Sequence, residues 1–585
     1  MDQWLNSTAD RSLKGGLILL VMVLLPPKLL SAETTLVTGP LVVSDNWPEC
    51  TDLVTWTRDV MRLEQVENAS ETDQAKAFFL WLRLFSKMAT GGMLQAYEGD
   101  YGKEQYVLDA QKNLFVYGWG YCDTHSRIAE AAWCEYKKDR TSAERVVVQH
   151  ADGGYHTMYR LRLDGQYAAF DARYGYYLVD RDAPDARILD WADVGNDENI
   201  LKNKAYRYRS SPFFEYFGRE WERALLLQPV YYESEEAWVK AGRPIECVFG
   251  NGQYQMGTRY HDMSFQLAKG VTLERHWDNK ARRFYVPAGF ESKGEEPFRP
   301  SGRFYRVTET MLDGNWVKYD PNYSKCAPYL TTVPRDEGYN AEVSGGRTIG
   351  QAWGRLIYEP DLQDPSFPQN APAITDMLNN WTSPFLRPAQ TAGGGNITFD
   401  FYCPYVWVDG LLAGDWVASS DDQPVVEIRV LRPKSQAESE PDVWSGWQVL
   451  QSGPQPFRCE LGRSRFNGKD VSIHGVYRFQ IRLSLQPNPA RTRPAGVKSL
   501  KLETFFENGI MAIPRISAGT NTIHFKVRDA AVIAFPIKVI YRYQTPAGER
   551  SHTQVLRPKD FHNAIASYKL DAPGLTRCNS LVIAY

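Results

Sequence analysis

The chain has 585 residues and a formal net charge of −3, so it is long enough for two to four domains of about 100–200 residues each. Because basic and acidic residues nearly balance, the composition excludes a general polyanion-binding protein, and we expect no nucleic-acid partner. Aromatic residues are abundant, with 17 Trp and 33 Tyr, which fits packing on pleated sheets and also fits a sugar-binding or peptide-binding surface.

The N-terminus predicts a signal peptide at residues 1–32. Two basic residues precede an apolar run at 17–25, and the pair Pro26-Pro27 ends that run. A helix of this length rises about 14 Å, against a hydrocarbon core of about 30 Å. We therefore expect cleavage after Ala32, no membrane span afterwards, and a secreted, periplasmic or other extracytoplasmic location.

Two helices are predicted in the first part of the chain. Apolar residues recur at helical spacing over 71–88, and Thr72 or Asp73 would cap that helix. A second helical stripe begins after Cys122. Its apolar members are Ile128, Ala129, Ala132, Trp133 and Tyr136. Two strand-like runs follow, the second of them a hairpin, so residues 33–215 predict a mixed α+β domain.

The rest of the chain predicts β-structure. Many segments alternate apolar and polar residues at period two, as 477–485 does, and turn-rich pieces separate them. This pattern is typical of antiparallel sheets with one buried face. We expect a β-rich domain or connector over 216–365 and one or more β-sandwich domains over 366–585.

The cysteines give no sign of a metal site. Eight of them lie far apart, without a C-x-x-C motif or a zinc-finger spacing of Cys and His. No H-E-x-x-H motif is present, and no Gly-rich loop carries the lysine that phosphate binding requires, so no metal or cofactor is expected. Export would permit disulfides, but the spacing leaves their pairing open. The cysteines are Cys50, Cys122, Cys134, Cys247, Cys326, Cys403, Cys459 and Cys578.

Cys122 stands where the second helical stripe begins, after Gly118 and Gly120, which permit a sharp turn. A helix N-terminus lowers the pKa of a thiol through its partial positive charge, and its free N–H groups can bind an oxyanion. Cys122 is therefore a candidate nucleophile, while simple burial is the competing interpretation. Trp119 and Tyr121 flank it, where they would line a substrate cleft, add an oxyanion donor or only pack.

The predicted hairpin supplies two partners for a thiol. The Asp-Gly pair at 164–165 is a strong signal for a two-residue turn. The register that it sets pairs Met158 with Asp171 and leaves His156 two residues away on the same face. His156 and Asp171 then become diagonal neighbours, about 7–8 Å apart at the backbone and within side-chain reach. A carboxylate-held imidazole is what activates a thiol, although a slip of one residue would break the arrangement.

A Gly-x-Gly-x-Cys segment that opens a helix, then a strand-borne His, then a strand that ends in Asp, resembles the transglutaminase-like superfamily. The resemblance covers residues 70–190 and implies a papain-like α/β core. It also implies that Cys122 is the nucleophile, His156 the general base and acid, and Asp171 the residue that orients the imidazole. The whole chain would then be a multidomain α+β and β protein, with this core followed by antiparallel β-sandwich domains.

Two residues depart from the pattern of that family, since Met158 stands where an aromatic residue is usual and Tyr167 where Trp is common. Neither is one of the three reacting groups. The resemblance implies acyl-enzyme chemistry on protein or peptide amides, by a peptidase or amidase before a cross-linking enzyme. The alternative is a non-catalytic surface or polysaccharide-binding protein that keeps a degenerate scaffold of this kind.

Other residues near the motif have plainer interpretations. Cys134, late in the same helix, is predicted to be a core residue, and His125 a packed or solvated side chain. His150 is the rival for the general base, but its loop-like sequence neighbours favour His156.

Overall fold

The computed structural model describes much of the chain from residue 36 onward, and it gives the backbone alone at Trp119, Cys122, His156 and Asp171. The predicted signal peptide lies outside these residues, as do the predicted domain boundaries after residues 215 and 365. Thr34–Tyr585 forms one compact unit. The described residues are 36–88, 109–120, 122–149, 155–171, 176–180, 186–190, 193, 207–208, 261–277, 351–364, 367, 395–432, 442–462, 471–485 and 495–585.

The described helices are α1 (Leu53–Glu64), α2 (Glu71–Phe85) and α3 (Cys122–Lys137). Asp52 caps α1, because its carboxylate accepts a 2.7 Å hydrogen bond from the N–H of the third helical residue. The helix predicted over 71–88 is α2, but its cap is Ser70, whose hydroxyl accepts from the N–H of Asp73 at 3.1 Å. The prediction of Thr72 or Asp73 as the cap is therefore wrong. None of the helices in the described ranges is long and apolar enough to cross a membrane.

Strands dominate the described residues, and they are numbered here in chain order. In the first part they are β1 (Val37–Thr38), β2 (Leu41–Ser44), β3 (Lys87–Met88), β4 (Trp119–Gly120), β5 (Ala143–Gln149), β6 (Tyr155–Leu163), β7 (Gln166–Asp171), β8 (Tyr176–Leu178) and β9 (Arg207–Tyr208). In the rest they are β10 (Gln266–Leu267), β11 (Val271–His276), β12 (Gln351–Tyr358), β13 (Gly395–Tyr402), β14 (Val406–Val417), β15 (Val425–Arg432), β16 (Val443–Trp444), β17 (Gln448–Ser452), β18 (Phe457–Glu460), β19 (Arg478–Leu485), β20 (Gly496–Gly509), β21 (Gly519–Lys526), β22 (Ile537–Thr545), β23 (Gly548–Leu556), β24 (Ile565–Ala572) and β25 (Arg577–Ala584).

Helices α2 and α3 pack on a five-stranded antiparallel sheet in the order β5-β6-β7-β8-β9. From α2, the ring of Phe79 lies 5.5 Å from Phe170 in β7 and 5.7 Å from Tyr177 in β8. Helix α3 contacts β5 and β6, and the apolar stripe predicted for it is confirmed. Its fully buried members are Ile128, Ala129, Ala132 and Trp133.

The hairpin of β6 and β7 has the predicted register. Leu163 pairs with Gln166, and the ladder continues to the pair of Tyr159 and Phe170. The two turn residues have φ values of 48° and 84°, which are the left-handed values that a type I′ turn requires at both positions. The turn predicted from Asp-Gly is therefore confirmed.

Two antiparallel sheets pack face to face in the later part of the chain. One has eight strands in the order β18-β14-β20-β12-β11-β25-β22-β23, and the other has the order β13-β19-β15-β16, with β17 also paired to β15. Aromatic rings join the sheets, since Trp407 in β14 lies 5.7 Å from Phe479 in β19, and Tyr358 in β12 lies 5.8 Å from Phe401 in β13. Every second residue of β19 is fully buried, as the alternation predicts. The predicted β-sandwich character is confirmed for these described strands.

Strand β2, early in the chain, completes a three-stranded sheet with β21 and β24 from its last part. Strand β2 pairs with β21, and β21 pairs with β24. The indole N–H of Trp47 donates to the carbonyl oxygen of Met511 at 2.7 Å, across 464 positions of sequence. Glu49 forms a 2.6 Å ion pair with Lys526. The N-terminal segment is thus built into the C-terminal β-structure.

Candidate functional site

Cys122 is the first residue of α3. The chain reaches it through a π-helical turn, Lys112–Tyr117, and then Gly118, whose φ of 70° is a left-handed conformation that glycine adopts without strain. The Gly118 N–H donates to the carbonyl oxygen of Asn113 at 3.0 Å and closes the turn. Strand β4 follows and pairs with β3. The cysteine therefore stands at a helix N-terminus, where the helix dipole places a partial positive charge.

Helix α3 and strand β5 run in opposite directions along each other. Late in α3, the Sγ of Cys134 lies 3.6 Å from the carbonyl oxygen of Ala143, at the start of β5. One helical turn earlier, Glu130 forms a 2.6 Å ion pair with Arg145, which is further along β5. The N-terminus of α3 therefore lies toward the end of β5. Because β5 and β6 are antiparallel, that is also where β6 begins.

The backbone positions of the three predicted reacting residues lie at this same end. His156 is the second residue of β6 and pairs with Val148, and Asp171 is the last residue of β7. From the ion pair back to Cys122, the helix rises about 12 Å. From the ion pair forward to Val148, β5 advances about 10 Å. Cys122 and His156 are thus nearly level along the sheet, and the neighbouring strand ends there at Asp171.

The alternation of side chains along β5, β6 and β7 limits how Cys122 could contact His156 and Asp171. Arg145 contacts α3, and its cross-strand partner Tyr159 belongs to the core beneath the helices. The register positions of His156 and Asp171 belong to the alternate face. Contact with Cys122 would therefore occur around the end of the sheet. The side chains of Cys122, His156 and Asp171 lie outside the described residues, so their contact stays a prediction.

The first turn of α3 holds a buried acid that the sequence pattern did not indicate. Burial raises the pKa of the Asp123 carboxyl, and the guanidinium groups of Arg127 and Arg145 oppose that rise. His125 is also buried, with 1% of its surface exposed, which agrees with a packed side chain. An acid directly after a helix-opening cysteine is the sequence signal that would have marked Asp123.

The structure describes only part of the predicted surroundings of Cys122. Trp119 lies in β4, and its backbone pairs with that of Lys87 in β3. Tyr121 and the rival base His150 lie outside the described residues. A role for Trp119 or Tyr121 in a cleft or an oxyanion site therefore stays a prediction.

The two residues that depart from the family pattern have structural partners. Met158 is buried, with 1% of its surface exposed. The ring centre of Tyr167 lies 3.9 Å from the guanidinium carbon of Arg160. Arg160 also forms ion pairs with Glu144 and, at 3.0 Å, with Asp190. The hairpin is thus well packed with these two residues in place.

The cysteines whose side chains the structure describes are buried thiols outside any disulfide. Burial raises the pKa of the Cys134 thiol to about 11, and it raises the thiol pKa of Cys50, Cys403 and Cys578. A raised pKa suppresses the reactive thiolate at neutral pH. The prediction that Cys134 is a core residue is confirmed. Among the described side chains, no group of three or more His, Cys, Asp or Glu residues could hold a metal ion.

Comparison with known proteins identifies no family. No protein-family model matches the chain, and no curated protein matches it. A glycosyl hydrolase family 2 member from Bacteroides cellulosilyticus is 8% identical over 33% of this chain and 22% of its own, with a TM-score of 0.11. A β-glucuronidase from Bacteroides uniformis is 12% identical over 31% of this chain and 21% of its own, with a TM-score of 0.11. An allantoicase from Saccharomyces cerevisiae is 10% identical over 36% of this chain and 79% of its own, with a TM-score of 0.15. At these scores the likenesses carry no argument about this chain.

Proposed function

We propose that the chain is an exported cysteine enzyme with a papain-like, transglutaminase-like core in which Cys122, His156 and Asp171 react together. One observation carries the proposal: α3 begins, β6 begins and β7 ends at the same end of the five-stranded sheet. A helix-opening cysteine beside a strand-borne His and Asp is the arrangement that a thiolate–imidazolium pair needs.

The proposed reaction begins when the Cys122 thiolate adds to an amide carbonyl carbon and forms a C–S bond. The backbone N–H of Cys122 stabilises the negative charge on the carbonyl oxygen. The C–N bond then breaks as His156 gives its proton to the leaving amine. Water next attacks the thioester and gives a proton to His156, the C–S bond breaks, and a carboxylic acid and the thiolate are released. Asp171 orients the imidazole throughout.

The proposed substrates are amides of proteins or peptides outside the cytoplasm, as the predicted signal peptide implies. Hydrolysis needs only water as the acyl acceptor, so peptidase or amidase activity comes before cross-linking in this proposal. An added amine would divert the same thioester to an acyl-transfer product. The chemistry calls for no metal or organic cofactor.

The rate of Cys122 alkylation by iodoacetamide at different pH values tests the proposal, with mass spectrometry of the peptide that contains Cys122. We expect an apparent pKa clearly below the free-thiol value of about 8.5, and a return toward that value in His156→Gln. Cys134 is the internal control, because its thiol pKa of about 11 leaves it unreactive at neutral pH. A wild-type Cys122 that reacts with an apparent pKa near that of a free thiol would overturn the proposal.

Amide hydrolysis of a peptide library, with and without an added primary amine, gives a second arm of the test. Cys122→Ala should abolish release of the free acid, and the amine should reveal any acyl transfer as a new product. Cys134→Ala is the matched control on the same helix and should keep its activity. Full activity in Cys122→Ala would contradict the proposed nucleophile.

A surface of the β-sandwich favours a second candidate function, the binding of polysaccharide or other cell-surface material. The half-buried ring of Trp447 lies 4.6 Å from the guanidinium carbon of Arg429 and 4.2 Å from that of Arg482. Val449 in β17 is 54% exposed, and it pairs with Glu427 on the same face of β15 as Arg429. Exposed apolar residues clustered with aromatic and charged groups are typical of interaction surfaces.

A carbohydrate array distinguishes the two candidate functions. Binding that Trp447→Ala loses and Cys122→Ala keeps would support the surface-binding function. Equal signals from wild type and Trp447→Ala, or no signal at all, would exclude this surface as the binding site.

A further inference from the structure

The turn that leads to Cys122 is held by the β-sandwich. Tyr117, the last residue of the π-helical turn, has its hydroxyl oxygen 2.7 Å from that of Tyr477, which directly precedes β19. Both tyrosines are buried, with 3% and 7% of their surfaces exposed. A hydrogen bond between buried hydroxyls constrains both side chains, because a displacement would leave polar groups without this partner and away from water.

Tyr477 also contacts the beginning of the same turn. The Nζ of Lys112 lies 4.5 Å from the centre of the Tyr477 ring, and the His261 ring lies 4.7 Å from it. Asp109 links these neighbours, since its carboxylate accepts from the N–H of His261 at 2.8 Å and from the N–H of Lys112 at 3.0 Å. One side chain of the sandwich therefore touches both the first and the last residue of the turn.

A third contact meets the middle of the turn. At Gly509, the last residue of β20, a Cβ atom would lie 2.6 Å from the carbonyl oxygen of Phe115. The two backbones thus approach so closely that only glycine fits. Because β20 belongs to the eight-stranded sheet and Tyr477 precedes a strand of the other sheet, both sheets of the sandwich hold the turn.

We propose that Tyr477 is a positioning residue that acts on Cys122 through Tyr117. Only four residues separate Tyr117 from Cys122. The position of Tyr117 then determines where α3 begins and where Cys122 stands at its start. The inference rests on the proposed function of Cys122. It matters to the chemistry because a shift of about 1 Å in a reacting group can lower a rate on the order of 100-fold.

Tyr477→Phe tests the inference, because it removes the hydroxyl and keeps the ring. We expect kcat for amide hydrolysis to fall about tenfold with KM nearly unchanged, since positioning acts on the transition state. The apparent pKa of Cys122 alkylation should rise toward the free-thiol value of about 8.5. Tyr117→Phe should have the same effect, and the double variant should be no worse than either single one, because all three remove one hydrogen bond.

Tyr541→Phe is the matched control. It also removes a buried hydroxyl, one that donates to the carbonyl oxygen of Pro514 at 3.1 Å in the sandwich. It should lower Tm and leave the pH profile of Cys122 unchanged. If Tyr477→Phe also lowers only Tm, the inference is overturned while the proposed function stands. A wild-type Cys122 that reacts as a free thiol overturns both, and that result is obtained before any tyrosine is changed.

Discussion

The helix–sheet region and the β-sandwich place cysteine in opposite environments. In the sandwich, Cys403 and Cys578 are buried among strands, and burial raises the pKa of both thiols. In the helix–sheet region, Cys122 opens α3, where the helix dipole favours a thiolate. Cys134, only three helical turns along, is buried like the cysteines of the sandwich. The position within an element thus separates the candidate nucleophile from the core thiols.

Buried acids also differ between the two regions, but in the opposite sense. Glu274 in β11 forms ion pairs with Arg355 and Arg542 and lies 3.4 Å from the Nε2 atom of His276, and its pKa is lowered to about 2. At Asp123, burial outweighs the nearby guanidinium groups and raises the pKa. The sandwich thus favours the charged form of Glu274, whereas the start of α3 disfavours the charged form of Asp123.

Trp47→Ala is expected to lower the stability of the protein most, because Trp47 contacts both regions. Its ring stacks on Phe85 of α2 at 5.6 Å, and its N–H bonds to Met511 near the sandwich core. Removing so large a buried ring lowers the free energy of unfolding by about 3–5 kcal/mol. Urea unfolding followed by circular dichroism measures the loss. Trp47→Phe is the control, and it should cost much less.

We expect the Trp47→Ala protein to unfold in one transition at lower urea, since the same residue contributes to both cores. Two transitions, of which one keeps the wild-type midpoint, would show instead that the helix–sheet region and the sandwich fold independently.

Local sequence signals predicted the parts of the fold that local physics determines. The Asp-Gly turn fixed the register of β6 with β7, and period-two alternation identified β19. The cap of α2 was misassigned because Ser70, Thr72 and Asp73 are all good capping residues, and only the position of the first helical turn chooses among them.

Local sequence signals did not predict the long-range contacts. Pairing of β2 with β21 and the hydrogen bond of Tyr117 to Tyr477 join residues hundreds of positions apart, and no short pattern encodes which partner a strand or a hydroxyl will meet. For the candidate site, the sequence indicated Cys122 at a helix start and the strand positions of His156 and Asp171. It did not indicate that the sandwich holds the turn before the cysteine.

Glu274→Gln tests whether the charged form of Glu274 stabilises the sandwich. The pKa of Glu274 is lowered from 4.5 to about 2, so in this pH window the unfolded chain binds the proton first. Its contribution to stability is therefore present above pH 4.5 and lost as the pH falls toward 2. We expect the variant to have a lower urea midpoint at pH 7 and a shallower decline below pH 4.5. An unchanged acid slope would show that the Glu274 network does not stabilise the sandwich.

Cys134→Ala tests the thiol contrast at high pH. The Cys134 thiol has its pKa raised from 9.0 to about 11, so between these values the unfolded chain loses its proton before the folded protein does. The stabilising effect of the protonated thiol is fully present below pH 9 and is lost as the pH rises toward 11. The variant should therefore lose less stability between pH 9 and pH 11 than the wild type, as measured by urea midpoints. Parallel slopes for the two proteins would contradict a shifted pKa.

Gly165→Ala is expected to have the smallest effect. It changes the stability of the hairpin without changing its register. Gly165 has φ of 84°, and an added Cβ would meet no atom within 4 Å. The cost is thus the left-handed backbone alone, about 1–2 kcal/mol. Because the ladder still pairs Leu163 with Gln166, the alkylation profile of Cys122 should not change.

Inserting one glycine after Gly165 is the counterpart of that substitution. It would move Asp171 to the other face of β7, since side chains alternate at period two. The apparent pKa of Cys122 alkylation should then rise toward the free-thiol value of about 8.5. If the substitution altered the profile and the insertion did not, the register of the hairpin would have no part in activating the thiol. The opposite pattern would connect the turn at residues 164–165 to the reactivity of a cysteine in another element, through the strand position of a single carboxylate.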